Sequence, residues 1–201
     1  MTVYILGKSD PAPEDAMVID TTSRSRTWSR GLSPFFVGPV EICEGLESLN
    51  VENAWQFSKV YKRHTIGRYI VKGEYLEWAK AGFSDSFAHR YPMGRNAKPE
   101  FSVKIKLLAE KPAHSDMQQL NYIEARKELY IPFYSKAVKE SDAYKKLEDL
   151  FYNERQDIYL RDFDGYNHKA LGMDYQQVID NPDKKMGHAF VLGMLLEGFL
   201  T

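Results

Sequence analysis

The sequence predicts an α+β domain, mainly helical with a few short strands, extending over residues 1–201. Three observations predict it. Short strand-like runs (VYIL at 3–6, MVIDTT at 17–22, DIYL at 157–160) each end in polar or Pro-rich segments. Longer stretches between them carry helix-forming composition with apolar residues at helical spacing. No repeat, low-complexity tract or linker divides the chain, and 201 residues suffice for one domain with a substantial core, or at most two small ones, of which one is the economical reading.

The elements follow in order. After the strand at 3–6, the acidic, Pro-rich stretch 10–15 is a loop, and 17–22 is a second strand. SRSRTWSRG is a polar loop holding Arg24, Arg26, Trp28 and Arg30. Residues 35–42 read as a strand interrupted by Pro39, hence an edge or a bulge. Asn50 or Asn53 caps a helix running to about Tyr61. A short helix covers 74–81, and 82–101 is loop-rich. Residues 121–134 are helical, kinked or ended near Pro132. Ser141 caps the next helix, to about Asn153. The strand at 157–160 leads into the turn RDFDGYN, and a last helix spans 186–199. Only His188 and Glu197 interrupt its apolar surface, so it is expected to be buried.

Composition narrows the function classes. Hydrophobic residues are 43% and charged residues 27%, as in ordinary globular proteins. A formal net charge of −1 supplies no global field for nucleic acid or an anionic membrane, although a local basic patch is compatible with it. No apolar run approaches the ~18–20 residues that span a bilayer, and the N-terminus lacks a signal-peptide pattern. Cys43 is the lone cysteine, which excludes an intrachain disulfide. A cytoplasmic protein without membrane or obligate protein partners is the expectation. No metal or cofactor is expected either. His64, His89, His114, His168 and His188 are scattered without HExxH spacing, and no glycine-rich phosphate loop occurs. Acidic neighbours Glu44 and Glu47 disfavour a reactive thiolate at Cys43, leaving it as a small buried residue. Aromatics make up 13%; most belong to the core, and Tyr also suits a pocket for a flat ring.

The most informative segment is NVENAWQFSK. At helical pitch Glu52, Gln56 and Lys59 share one face, offering a carboxylate, an amide and an amine in a row. The plain alternative is a solvated stripe, whose i,i+4 pairs add only ~0.2–0.5 kcal/mol. In DFDGYNH, Asp162 and Asp164 can hold ribose hydroxyls or steady a cationic transition state; the alternative is an Asx-turn with solvated acids. Arg24, Arg26 and Arg30, with Arg90 and Arg95, can grip a phosphate or pyrophosphate, or serve as surface charge. Trp28, Phe35 and Trp55 are candidates for stacking on a base.

Several segments in this order resemble the NADAR (YbiA-like) family. The matching positions are Ser33 and Phe35; Glu52, Gln56 and Lys59; Met93, Gly94 and Arg95; Asp162 and Asp164; and Gly187. The resemblance spans about residues 17–199, and the Glu-x-x-x-Gln-x-x-Lys segment is its most specific piece. Two departures stand out. The family's tryptophan-glycine pair in the acidic turn is replaced by DFDGYN. An insertion within KALGMDYQQVIDNPDK leaves two alignments for the C-terminal leucine-glycine, one following Asn167 and one at Met186-Gly187.

The resemblance implies an α+β fold and an N-glycosidase that cleaves a ribose C1–nitrogen bond, as in ADP-ribosylated guanine. Its substrate would be a small-molecule or nucleic-acid-linked ADP-ribosyl group. The implied catalytic set is Glu52, Lys59, Asp162 and Asp164. Phe35, Gln56, Gly94 and Arg95 are the substrate contacts at matching positions, and Arg24, Trp28, Arg30, Trp55 and Asn167 are added as expected contacts from the reading of the residues themselves. The alternative is the same fold with a degraded site that binds ADP-ribose or a nucleotide without turning it over.

Overall fold

The computed structural model describes residues 1–67, 69–70, 72–107, 116–154 and 156–200; His114 lies outside them. The chain begins with strands β1 (Val3–Gly7) and β2 (Met17–Asp20), a 3-10 turn (Trp28–Leu32), and strands β3 (Val40–Cys43) and β4 (Leu46–Ser48). Helix α1 (Val51–Phe57) and strand β5 (Lys59–Val60) follow, then β6 (Thr65–Ile66), β7 (Tyr69–Ile70) and helix α2 (Lys72–Phe83). Next come β8 (Phe101–Ile105), β9 (Met117–Leu120), α3 (Tyr122–Ala125), a π-turn (Arg126–Tyr130) and α4 (Ile131–Lys139). The chain closes with α5 (Asp142–Glu154), β10 (Ile158–Asp162), α6 (Tyr175–Asp180) and α7 (His188–Leu196). This is an α+β fold. No helix among the described residues is long and apolar enough to cross a membrane.

Two compact units emerge: Met1–Val37 with Tyr134–Thr201, and Gly38–Phe133. The first is built on a three-stranded parallel sheet in the order β1-β10-β2. Val3, Ile5, Ile19, Ile158 and Leu160 alternate along its strands and are buried, as period-2 patterning requires. Helix α7 packs on β1 and β10. Every residue from His188 to Leu196 is buried, as an almost wholly apolar helix should be. All three strands run the same way, so β1, β2 and β10 end at one edge, at Gly7, Asp20 and Asp162.

The second unit contains the β3–β4 hairpin, the antiparallel sheet β5-β8-β9 and the β6–β7 pair. Its core gathers Phe57, Val60, Tyr75, Ala79, Phe83, Val103, Ile105 and Met117. A smaller cluster, Leu120, Ala125 and Leu129, is covered by Trp55 and Phe133.

Three predicted elements change. The strand expected at 35–42 shrinks to Val40–Cys43, because Ser33–Val37 closes turns in which Phe36 and Val37 N–H both bond Ser33 O, at 2.8 and 3.1 Å. The helix expected to reach Tyr61 stops at Phe57. Of the two expectations at Pro132, a kink or an end, the helix does not end there. The π-turn at Arg126–Tyr130 precedes it, and such a widened turn accommodates a ring that cannot take an ordinary i−4 bond.

Candidate functional site

Helix α1 is short for identifiable reasons. Asn50 caps it, accepting the Asn53 N–H at 2.8 Å, while the Ser48 hydroxyl donates to Asn50 O at 2.9 Å. At the other end Ser58 Oγ donates to Trp55 O at 2.8 Å, and Ser58 O accepts from Val103 N. The chain then turns extended, so that Lys59 pairs with Ser102 at the start of β5. Lys59 therefore lies outside the helix.

Even so, the three side chains form one hydrogen-bonded row. Lys59 Nζ donates to Gln56 Oε1 at 2.7 Å, and Gln56 Nε2 donates to Glu52 Oε1 at 2.9 Å. The amide thus links an amine to a carboxylate, using its acceptor on one side and its donor on the other. Glu52 and Gln56 are each only 8% exposed, so this face is not the solvated stripe that composition allows. Lys59 Nζ also lies 4.7 Å from the centre of the half-buried Trp55 ring. Trp55 in turn packs on Tyr122 and Tyr130, with centroids 6.5 and 5.2 Å away. Inside a low-dielectric row, hydrogen bonds and charges act more strongly than in water.

The adjacent side of α1 holds a feature that the sequence reading missed. Asn53 is fully buried and uses its whole amide on the loop after α2. Its Nδ2 donates to Asp85 O (3.0 Å) and Phe87 O (2.8 Å), and its Oδ1 accepts from His89 N (2.8 Å). Asp85 braces the same loop: Oδ1 accepts from Phe87 N at 2.8 Å, and Oδ2 stands 2.7 Å from His89 Nε2. The His89 hydrogen bond, together with that of Phe87 N–H, holds the Asp85 carboxyl below its usual range. The signal present in the sequence was an Asp-x-x-x-His spacing within a loop; nothing there marked Asn53 as its anchor. Further along, Gly94 takes φ +91°, and Arg95 and Arg90 lie 5.7 and 5.8 Å from the Tyr91 ring, all of them outside the core.

In the other unit, Asp162 ends β10 and is 3% exposed. Its Oδ1 accepts from Phe163 N at 2.6 Å; Oδ2 accepts from Ala189 N at 3.2 Å and lies 3.0 Å from His188 Nδ1. His188 Nε2 lies 2.8 Å from Thr21 O, a carbonyl that can only accept, so this nitrogen carries a hydrogen. Burial raises the Asp162 pKa. The charge and hydrogen bond of His188, with the two backbone N–H groups, outweigh that effect and keep it below the ordinary value. The carboxylate is thus engaged within the fold, joining β10, the end of β2 and the start of α7. Gly187 is required there, since a Cβ would sit 2.0 Å from Asp162 Oδ2.

The other expected residues of this unit lie around the same strand ends or in the arginine loop. Asp164 faces Lys185 Nζ at 3.8 Å, and Asn167 Oδ1 accepts from Ala170 N at 3.1 Å. Arg24 and Lys8 both lie over Phe163, 5.5 and 5.3 Å from its centre, which brings the arginine loop to the acidic turn. Trp28 carries Lys146 over its ring at 5.1 Å, Arg30 lies 4.3 Å from the Phe36 ring centre, and Phe35 is half-buried. Among the described residues no cluster of three or more His, Cys, Asp or Glu could hold a metal ion. No family model matches the chain, and neither a curated protein nor a solved structure matches it significantly.

Proposed function

We propose that this chain is an N-glycosidase of NADAR type, hydrolysing a ribose C1–nitrogen bond in an ADP-ribosylated nucleobase. The observation that carries the reading is the hydrogen-bonded Glu52–Gln56–Lys59 row, in which Glu52 and Gln56 are buried. Breaking a ribosyl C–N bond builds positive charge on C1 and the ring oxygen, while the bonding pair leaves with the base. A desolvated carboxylate stabilises that charge far better than a solvated one. Glu52 fills this role, with Gln56 fixing its orientation.

Lys59 serves in one of two ways. As a cation it holds a phosphate oxygen. As a neutral amine it attacks C1 and forms a Schiff base with the opened sugar, which water then hydrolyses. Incubation with ADP-ribosylated guanosine, monitoring free ADP-ribose, tests the activity. Glu52→Gln and Lys59→Ala are each expected to abolish release with circular dichroism unchanged. Borohydride traps the covalent species if it forms, and near-full activity of Lys59→Ala removes that route. The second reading, an ADP-ribose-binding module, is favoured by the fact that the row is already bonded within itself. Saturable binding without release would establish it.

A further inference from the structure

Among the described residues there are two aspartate–histidine pairs, and they differ in what they leave open. In Asp162–His188 both ring nitrogens are committed, one to the carboxylate and one to Thr21 O, and both side chains are buried. That pair ties elements together. In Asp85–His89 only Nε2 faces the carboxylate, and the histidine side chain is 40% exposed. Its Nδ1 edge is therefore available for proton exchange once Asp85 has fixed the ring.

The position of this second pair follows from α1. Asn53 and Phe57, one helical turn apart, share a side of the helix. His89 meets both, its backbone N–H bonded to Asn53 and its ring set edge-on to Phe57 with centroids 5.9 Å apart. Glu52 and Gln56 each precede those residues by one position, about 100° around the same helix. The imidazole is thus held on the side of α1 that lies about 100° round from the Glu52–Gln56 face. A fully buried amide spends both of its donors on Asp85 O and Phe87 O and accepts from His89 N. Fixing a group in advance of the reaction is what proton transfer requires.

We infer that His89 is the proton donor to the departing base, with Asp85 and Asn53 as the residues that position it. The inference rests on the glycosidase reading and supplies what the α1 row lacks, a separate acid on the leaving-group side. As the C1–N bond breaks, its electron pair passes to the base nitrogen, which takes the proton from His89 Nδ1. His89 is left neutral on that nitrogen, with Nε2–H still on Asp85. Water adds its oxygen to C1, and the proton it sheds restores His89. The sum is one water consumed, one ribose hydroxyl formed and one protonated base released.

The test uses the full chain and ADP-ribosylated guanosine. His89→Gln is expected to lower kcat about 100-fold or more, with ADP-ribose binding and melting temperature unchanged. Asp85→Asn is expected to show a smaller loss. Added imidazole should restore part of the activity of His89→Ala, which a merely structural role would not allow. A His89→Gln enzyme within threefold of wild type overturns the role while leaving the glycosidase intact. So does a loss accompanied by weakened binding and no imidazole rescue. A wild type that releases no ADP-ribose removes the glycosidase itself, and this role with it.

Discussion

At the scale of single residues, burial decides what a polar side chain is for. Asp162 and Glu52 are both buried carboxylates: two backbone N–H groups and an imidazole hold Asp162, while the Gln56 side-chain amide is one of the groups that engage Glu52. Replacing Asp162 by Asn puts an NH2 group where one oxygen accepts and strips His188 of its anionic partner. Breaking one side of a buried charged pair costs about 3–5 kcal/mol. Asp162→Asn is therefore expected to lower the urea midpoint sharply, and an unchanged midpoint would show the pair to be dispensable. Little of this was legible in the sequence. Helical spacing put Glu52 and Gln56 on one face, but spacing alone does not say whether that face meets solvent or protein. Asn53 and His89 were invisible as partners because 36 residues separate them.

At the scale of elements, the sequence announces structure where the determinant is local. Asn50 and Ser141 cap as their chemistry predicts, with Asn53 N and Tyr144 N as the groups they satisfy. The strand starts at Val3 and Met17 came from β-branched runs. Structure departs from local propensity where tertiary pairing overrides it. KVYKR continues a helical composition, but Lys59 and Val60 are drawn into a ladder with β8, which no local pattern announces. The close fit of α1 on α2 is equally silent in sequence. Gly82 is where they meet, since a Cβ there would lie 2.0 Å from the Phe57 ring. Phe57 also packs against Trp78 and Phe83, so it has little room to retreat. Gly82→Ala should destabilise by about 1–3 kcal/mol through overpacking, despite alanine's better helix propensity. Chemical denaturation measures it, and a stabilised variant would show that the ring moves freely.

At the scale of the whole molecule, acid is the condition that should expose what burial costs. His168 is 1% exposed, stacked on Tyr175 and set edge-on to Phe190, with no hydrogen-bond partner for Nδ1. Burial, and then the nearby Lys169 charge, lower its pKa from 6.5 to about 4. A histidine held neutral in the folded state is protonated first in the unfolded chain. Its contribution is complete above pH 6.5 and is lost as pH falls toward about 4. One extra proton bound by the unfolded state removes about 1.4 kcal/mol per pH unit over that window. Asp162 and Glu197 act lower. Both have depressed values, in Glu197 because burial, which raises its pKa, is outweighed by the Lys169 and Val3 N–H bonds, so their stabilisation starts to fall at the ordinary carboxylate values and is gone only below the depressed ones. Urea unfolding at pH 7, 6 and 5.5 should thus show stability falling above the range in which carboxylates titrate. His168→Phe keeps a ring in the stack and cannot titrate. The variant's curve should be flatter than that of wild type between pH 6.5 and 4.5, and an identical slope would assign the acid sensitivity elsewhere.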